Sequence, residues 1–284
     1  MTEQAPLGVD PRIPNAARMY DYFLGGKDNF RADRELAELV LAVLPEAREG
    51  ALQNRLFIGR VVRYLVDQGI TQFIDLGSGL PARENVHEVA HRYAPEAKVV
   101  YVDNDPVVCT HGRALLADPE RVLMLEADAR RPEHVLADPE VRKLIDFERP
   151  VALLMMFFLH LVPDSDDPHG FVAAYREALA PGGYLALTHL STDWKSERTQ
   201  QIVEVYQQAS APFCPRSGKE IEAFFGDFEL IPPGLDTGLG TVWPFADPEA
   251  TMFLDEDLAR MGYAGIGRKP APFRKLRAVN PRGR

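Results

Sequence analysis

The chain is short of cysteine. Cys109 and Cys214 are the two in 284 residues, with no metal-type spacing and no disulfide framework. Such usage suits a reducing compartment, so a cytoplasmic protein is expected. A long hydrophobic run is missing too. The longest, "VALLMMFFLHLV" at 151–162, is too short to span a bilayer and already contains a histidine. It reads as a fully buried strand, and no membrane partner is expected. The opening "MTEQAPLGVDPRIPN" lacks the basic-then-apolar order of a secretory signal. Basic charge is in deficit: 32 Lys/Arg stand against 42 Asp/Glu, a net charge of −10. A body of that sign does not collect nucleic acid. The exception is residues 268–284, with seven Lys/Arg and no acidic residue, which read as a solvated basic tail. No internal repeat or low-complexity block interrupts the chain.

What is present is ordered in two stages. Helical periodicity runs through "AARMYDYFL", "ADRELAELVLAVL" and "ALQNRLFIGRVVRYLVDQG", with breaks at Gly25-Gly26 and Pro45. From Gln72 short apolar runs alternate with helical stretches: "TQFIDLG", "AKVVYVDND", "RVLMLEAD", the 151–162 run and "YLALTHL". Strands without polar alternation, separated by helices, predict a parallel sheet covered on both faces. The segment "PEHVLADPEVRKLI" reads as one helix, and a long helix is expected over 196–210. "FELI" and "GYAGIGRK" predict a late antiparallel pair at the sheet edge, for seven strands in all.

The most informative stretch is "IDLGSGLPAREN". A strand ends at Leu76, Gly77-Ser78-Gly79 turns, and a helix is expected to begin near Ala82, so the backbone can pass beneath a ligand. Gly77-x-Gly79-x-x-Ala82 also fits the loose dinucleotide fingerprint. Asp75 inside the strand end opposes a pyrophosphate and suits an ammonium group, and Pro81 removes an N–H a phosphate would use. The second strand ends at Asp103-Asn104, where a carboxylate holds ribose hydroxyls. The third ends at Asp128-Ala129, placed to meet an adenine amino group. An amino acid joined to a ribose and an adenine fits these three acids in order. That ligand is S-adenosyl-L-methionine.

Residues 72–181 resemble a class I S-adenosylmethionine-dependent methyltransferase through "DLGSGL", "YVDND", "EADAR" and "LAPGGYLAL". Nearly the whole chain resembles a bacterial S-adenosyl methyltransferase family, formerly a domain of unknown function. The motifs are "ARMYDYFLGGKDNF", "QFIDLGSGLP", "NVHEVA", "VVYVDNDP", "RPVALLMMFFLHLVPD" and "YAGIGRK". The resemblance implies a Rossmann-like α/β fold: a mostly parallel seven-stranded sheet with helices on both faces, behind an N-terminal helical extension. It supplies no substrate. The division it suggests is 1–54 as helical extension or lid, 55–268 as cofactor domain and 269–284 as tail.

"GGKDNF" is no phosphate loop, because a helix precedes it and Asp28 follows the lysine. Residues 16–30 are instead expected to close over the methionine end of the cofactor. Arg18, Tyr20, Lys27 and Asn29 are the candidate contacts, with Arg18 or Lys27 holding an anionic group. His160, Asp164, Asp166 and His189, after strands four and five, are the polar candidates near the acceptor, with His160 and His189 the possible bases. Neither the Asn/Asp-Pro-Pro-aromatic motif of amino-group nucleic-acid methyltransferases nor a Pro-Cys nucleophile appears. That favours a small-molecule or natural-product substrate over nucleic acid. Two other readings stay open at this point: a cofactor-binding regulator without turnover, and a nicotinamide-dependent oxidoreductase.

Overall fold

The computed structural model describes residues 9–271 apart from 83, 116, 117, 119, 195 and 238–260. Three helices open the chain: α1 (Ala16–Phe23), α2 (Arg31–Val43) and α3 (Ala47–Asp67). The Asn15 side chain caps α1 by accepting from the Ala17 and Arg18 N–H groups. Helix α3 is continuous across residue 54.

The sheet begins with β1 (Gln72–Leu76) and alternates with helices: α4 (Val86–Tyr93), β2 (Lys98–Asp103), α5 (Pro106–Leu115) and β3 (Val122–Glu126). Then come α6 (Pro132–Ala137), α7 (Pro139–Leu144), β4 (Ala152–Met156), α8 (Pro168–Ala178) and β5 (Tyr184–Leu190). The chain continues through α9 (Ser196–Tyr206), α10 (Gly218–Ala223), β6 (Glu229–Leu230), β7 (Asp236–Thr237) and β8 (Gly262–Arg268). The order across the sheet is β3-β2-β1-β4-β5-β8-β6, with β1 to β5 parallel and β8 antiparallel to β5. The seven expected strands are therefore present, and two-residue β7 joins β8 as an eighth. Order reverses between β1 and β4, and a crevice opens at such a switch point above the carboxyl ends of the strands.

The strands are buried on both faces. Phe73 packs with Phe57, Val61 and Val89 on one side; Ile74 packs with Val135, Phe171 and Tyr175 on the other. Among the described residues no helix is long and apolar enough to cross a membrane.

Three local expectations are corrected. The 132–145 stretch is two helices, because Asp138 caps α7 at the Glu140 and Val141 N–H groups and Pro139 cannot continue α6. The apolar 151–162 run is strand only to Met156. Phe157 takes a left-handed conformation (φ 53°), with its N–H donated to the Thr188 hydroxyl at 2.9 Å, and a short 3-10 turn follows at Leu159–Leu161. Helix α9 stops at Tyr206, short of residue 210.

The basic tail also begins later than expected. Arg268 belongs to β8, and the Lys269 ammonium donates to the Arg176, Glu177 and Leu179 carbonyls at 3.0, 3.1 and 2.7 Å, capping α8. The rest of the tail, from 272, lies outside the described residues. Replacing Lys269 with Ala strips the end of α8 of its cation. The unfolding free energy is expected to fall by about 1–2 kcal/mol, read as a lower urea midpoint; an unchanged midpoint would remove Lys269 from the fold's supports.

Candidate active site

A cavity of about 430 Å³ lies above the ends of β1 to β4 and beneath α1, α2, α3 and α9. Its floor is the glycine turn. Gly77 and Gly79 have φ of 70° and 66°, conformations that glycine adopts without strain. A Cβ on Gly77 would meet the Phe158 ring at 2.5 Å, whereas one on Gly79 would enter open space. The Gly77 and Ser78 N–H groups donate to the Val102 carbonyl at 2.9 and 3.1 Å, tying the turn to β2. The Ser78 hydroxyl oxygen is buried without a partner.

The three strand-end acids share this floor. Burial pushes the Asp75 carboxyl up to about 7, with Arg55 opposing the rise and Asp103 adding to it. Among the described residues no hydrogen-bond donor reaches it. Asp103 accepts the Gly79 N–H at 2.9 Å and the Asp105 N–H at 3.0 Å, and burial holds its carboxyl above the usual range. Exposed Asn104 follows it on the cavity rim. Asp128, next to Ala129, is clasped by Arg130 at 2.7 Å, which keeps its carboxyl below the usual range. Arg130 also reaches Asp166 at 2.6 Å, so both acids serve one guanidinium.

The N-terminal candidates divide. Tyr20 lines the cavity, donating its hydroxyl to the Ala51 carbonyl at 2.9 Å and accepting from Asn54 at 3.0 Å. Burial pushes that hydroxyl up to about 12. Asn54 in turn accepts from the Thr188 hydroxyl at 2.6 Å, and Thr188 accepts the Phe157 N–H. One buried polar chain thus joins α1, α3, β5 and the turn after β4. Arg18, Lys27 and Asn29 do not line the cavity. Lys27 is exposed. Asn29 donates to the Asp21 carboxylate at 2.8 Å, which also accepts the Asp28 N–H at 2.9 Å. The Gly-Gly-Lys segment is therefore a turn stapled by Asp21, with Gly26 lying where a Cβ would strike that carboxylate.

Arg18 is buried. Its guanidinium donates to Asp33 at 2.9 Å, to Asp105 at 2.8 Å and to the Ile13 carbonyl at 2.8 Å. None of these partners lies in α1. Asp33 also accepts the Asn15 and Phe30 N–H groups, both at 2.8 Å, and Asp105 caps α5 at the Val107 N–H at 2.7 Å. The residue expected to hold an anionic ligand group is spent on two protein carboxylates.

The two histidines also separate. His160, in the 3-10 turn, lines the cavity at 5% exposure, and its Nδ1 is buried without a partner. Burial pushes its pKa well below the usual value, with His189 and Arg216 adding to the shift, so the ring is neutral at pH 7. His189 does not line the cavity. Its Nδ1 donates to the Leu190 carbonyl at 2.7 Å and its Nε2 accepts from Arg216 at 3.1 Å. Burial pushes it down to about 3, so it has neither a free lone pair nor access to act as a base. Arg216 also binds the Leu159 and Val162 carbonyls, both at 2.9 Å, and Asp164 at 2.6 Å, holding the turn that presents His160.

A model of the family described as S-adenosyl methyltransferase matches residues 2–270. The chain belongs to that family. A candidate methyltransferase from Thermobifida fusca is 44% identical, with a TM-score of 0.85 over 94% of this chain and 98% of that one. A DUF574 family protein from Streptomyces avermitilis is 36% identical, with a TM-score of 0.87 over 92% and 99%. The plantazolicin methyltransferase BpumL, solved with a triazolic desmethylPZN analog and SAH, shares the fold at 11% identity and a TM-score of 0.52, over 89% of this chain and 95% of that one. No curated protein matches. The fold is that of class I methyltransferases, and the protein is an S-adenosylmethionine-dependent methyltransferase.

Sequence reading missed the partners that organise this site. Asp105 before Pro106 is a visible helix cap, and Asp33 is an acid in the first turn of α2. Nothing local pairs either with Arg18. Replacing Arg18 with Met leaves two buried carboxylates without their cation and is expected to cost about 3–5 kcal/mol. Urea unfolding would measure it. Replacing exposed Arg31, paired with Glu35 at 2.6 Å, should leave the midpoint in place. Equal effects of the two substitutions would refute the structural weight given to Arg18.

Proposed function

We propose that the enzyme transfers the methyl group of S-adenosylmethionine to a small molecule held between the strand ends and the helices α1, α2, α3 and α9. The observation that carries this reading is one cavity with two unlike walls. Acids and glycines form the floor, and apolar residues such as Leu44, Ile202, Phe213 and Met261 form the opposite side. Its volume falls within the ~300–1,000 Å³ typical of small-molecule sites.

When bound, the cofactor supplies an electrophilic methyl group on a positively charged sulfur, which leaves grip, alignment and water exclusion to the chain. Asp75 takes the amino group: a carboxylate with no donor among the described residues and a raised pKa is the group an ammonium relieves. Asp103 keeps lone pairs for ribose hydroxyls beside the two N–H groups it already accepts, with Asn104 at the rim. Asp128 and Ala129 meet the adenine edge. Gly77, Ser78 and Gly79 pass beneath the ligand, and the unpartnered Ser78 hydroxyl offers it a donor. Tyr20 and the rest of α1 cover the pocket, while Arg18 acts at one remove, through Asp105 on Asp103. On the acceptor side, neutral His160 takes the proton that the acceptor releases. Residues 16–30 are a cover rather than a swinging lid, since opening at α1 would break the buried Arg18 pairs.

Calorimetry with S-adenosylhomocysteine tests the floor. Asp103→Ala is expected to weaken binding about ten- to a hundred-fold, and wild-type affinity would refute the ribose assignment. The raised pKa of Asp75 adds a pH test. Its protonated form is favoured in the unliganded fold, so that share of stability is present at low pH and is lost as pH rises through about 7. An ammonium needs the ionised form. Affinity should therefore increase with pH up to about 7 and level off above it, with a slope approaching about tenfold per unit on the acid side. Asp75→Asn should abolish the slope; a slope that survives would assign the titration elsewhere.

A further inference from the structure

Two hydrophobic clusters fill the faces of the sheet, and a third stands apart from both. Its buried members are Leu44, Trp194, Ile202, Phe213 and Met261, all five of which line the cavity. Partly buried Ala47, Phe157, Leu190 and Tyr206 pack against it and line the cavity as well. This cluster is wrapped around a space. Apolar side chains that enclose a space forfeit contacts that a matching occupant restores.

Among the described residues, charge is absent from that side. Among the described residues, the Asp, Glu, Lys and Arg side chains lining the cavity are Arg55, Asp75, Asp103, Asp105, Asp128 and Arg130. The four acids lie at or just beyond the ends of β1, β2 and β3. Arg130 is committed to Asp128 and Asp166, and Arg55 acts on Asp75 and donates to the Glu84 carbonyl at 3.2 Å. An ion entering the apolar side would lose its hydration and find no counter-charge among the described residues there. The His160 imidazole lines the cavity beside this lobe without a hydrogen-bond partner at Nδ1, and the Phe157 and Phe213 rings lie 5.2 and 5.6 Å from it. Uncharged polar groups among aromatic walls, here His160 with the Thr199 and Tyr206 side chains that also line the cavity, fix the orientation of an apolar guest.

We propose that the methyl acceptor is an uncharged, planar, largely apolar molecule that lies among Phe157, Trp194, Tyr206 and Phe213 and presents one O–H or N–H to the imidazole of His160. This rests on the methyltransferase reading of the cavity and narrows its substrate. In the reaction the acceptor oxygen or nitrogen gives a lone pair to the methyl carbon. The carbon–sulfur pair stays on sulfur, neutralising its charge. The acceptor proton passes to the His160 imidazole, and the imidazolium returns it to water.

The test uses the full chain saturated with S-adenosylhomocysteine and four naphthalene probes, titrated by calorimetry. These are 2-naphthol, 2-methoxynaphthalene, 2-naphthalenesulfonate and 2-naphthylmethylammonium. The expected order places 2-naphthol first, about tenfold or more tighter than either ion and tighter than the methoxy probe. His160→Leu should erase the preference of the hydroxyl over the methoxy probe. Ala47→Trp should block all probes while S-adenosylhomocysteine still binds. An ion binding as tightly as 2-naphthol, or no probe binding to the cofactor-loaded protein, would overturn the inference. Should S-adenosylhomocysteine itself fail to bind, the underlying reading of the cavity would fall, and that outcome is distinct from the others.

Discussion

Arg18 holds the site together. Buried charges are tolerated when paired and hydrogen-bonded, and this guanidinium has two carboxylates and a carbonyl. Asp33 is the start of α2 and Asp105 the start of α5, so a single side chain clamps the N-terminal helices onto the end of β2. From Asp105 the connection continues by its N–H to Asp103, and from Asp103 to the Gly79 N–H in the turn after β1. Helix α1, Asp103 and the glycine turn are therefore one hydrogen-bonded unit. Displacing α1 would disturb the cavity floor as well as its roof.

A second buried chain does the same on the side of the cavity lined by Phe157. Tyr20, Asn54, Thr188 and the Phe157 N–H link α1 and α3 to the turn that follows β4. The left-handed backbone at Phe157 is a strained conformation for a bulky residue, and it persists where the surroundings hold it. Here the Thr188 hydroxyl holds it from one side and Arg216 fixes the following turn from the other. The consequence is that His160 faces the cavity while His189, one strand away, is sealed behind it. Two histidines of similar sequence context thus acquire different chemistry from their neighbours alone.

Much of the fold was legible because its signals are local. Alternating apolar runs and helical stretches define parallel strands with crossover helices, and a strand-end acid in such a sheet must lie on its carboxyl edge. That is why Asp75, Asp103 and Asp128 could be placed together before any coordinates. The misread segments have local reasons too. Asp138-Pro139 starts a new helix inside an apparently continuous one, and Phe157 ends a strand within an unbroken apolar run. Lys269, read as tail, docks on the carbonyls that end α8.

The sequence by itself determined the sheet, the glycine turn and the row of acids along the cavity floor, since each follows from the geometry of one strand and its next few residues. Only the tertiary structure decided what Arg18 and the histidines do. Arg18 meets Asp105 across 87 residues, and Thr188 meets Asn54 across 134. The apolar lobe is likewise assembled from α2, α9 and residues near 213 and 261, which no periodicity relates. Pairings of that range depend on where helices pack and which way side chains then point, and burial sets their charge states only after the packing is complete.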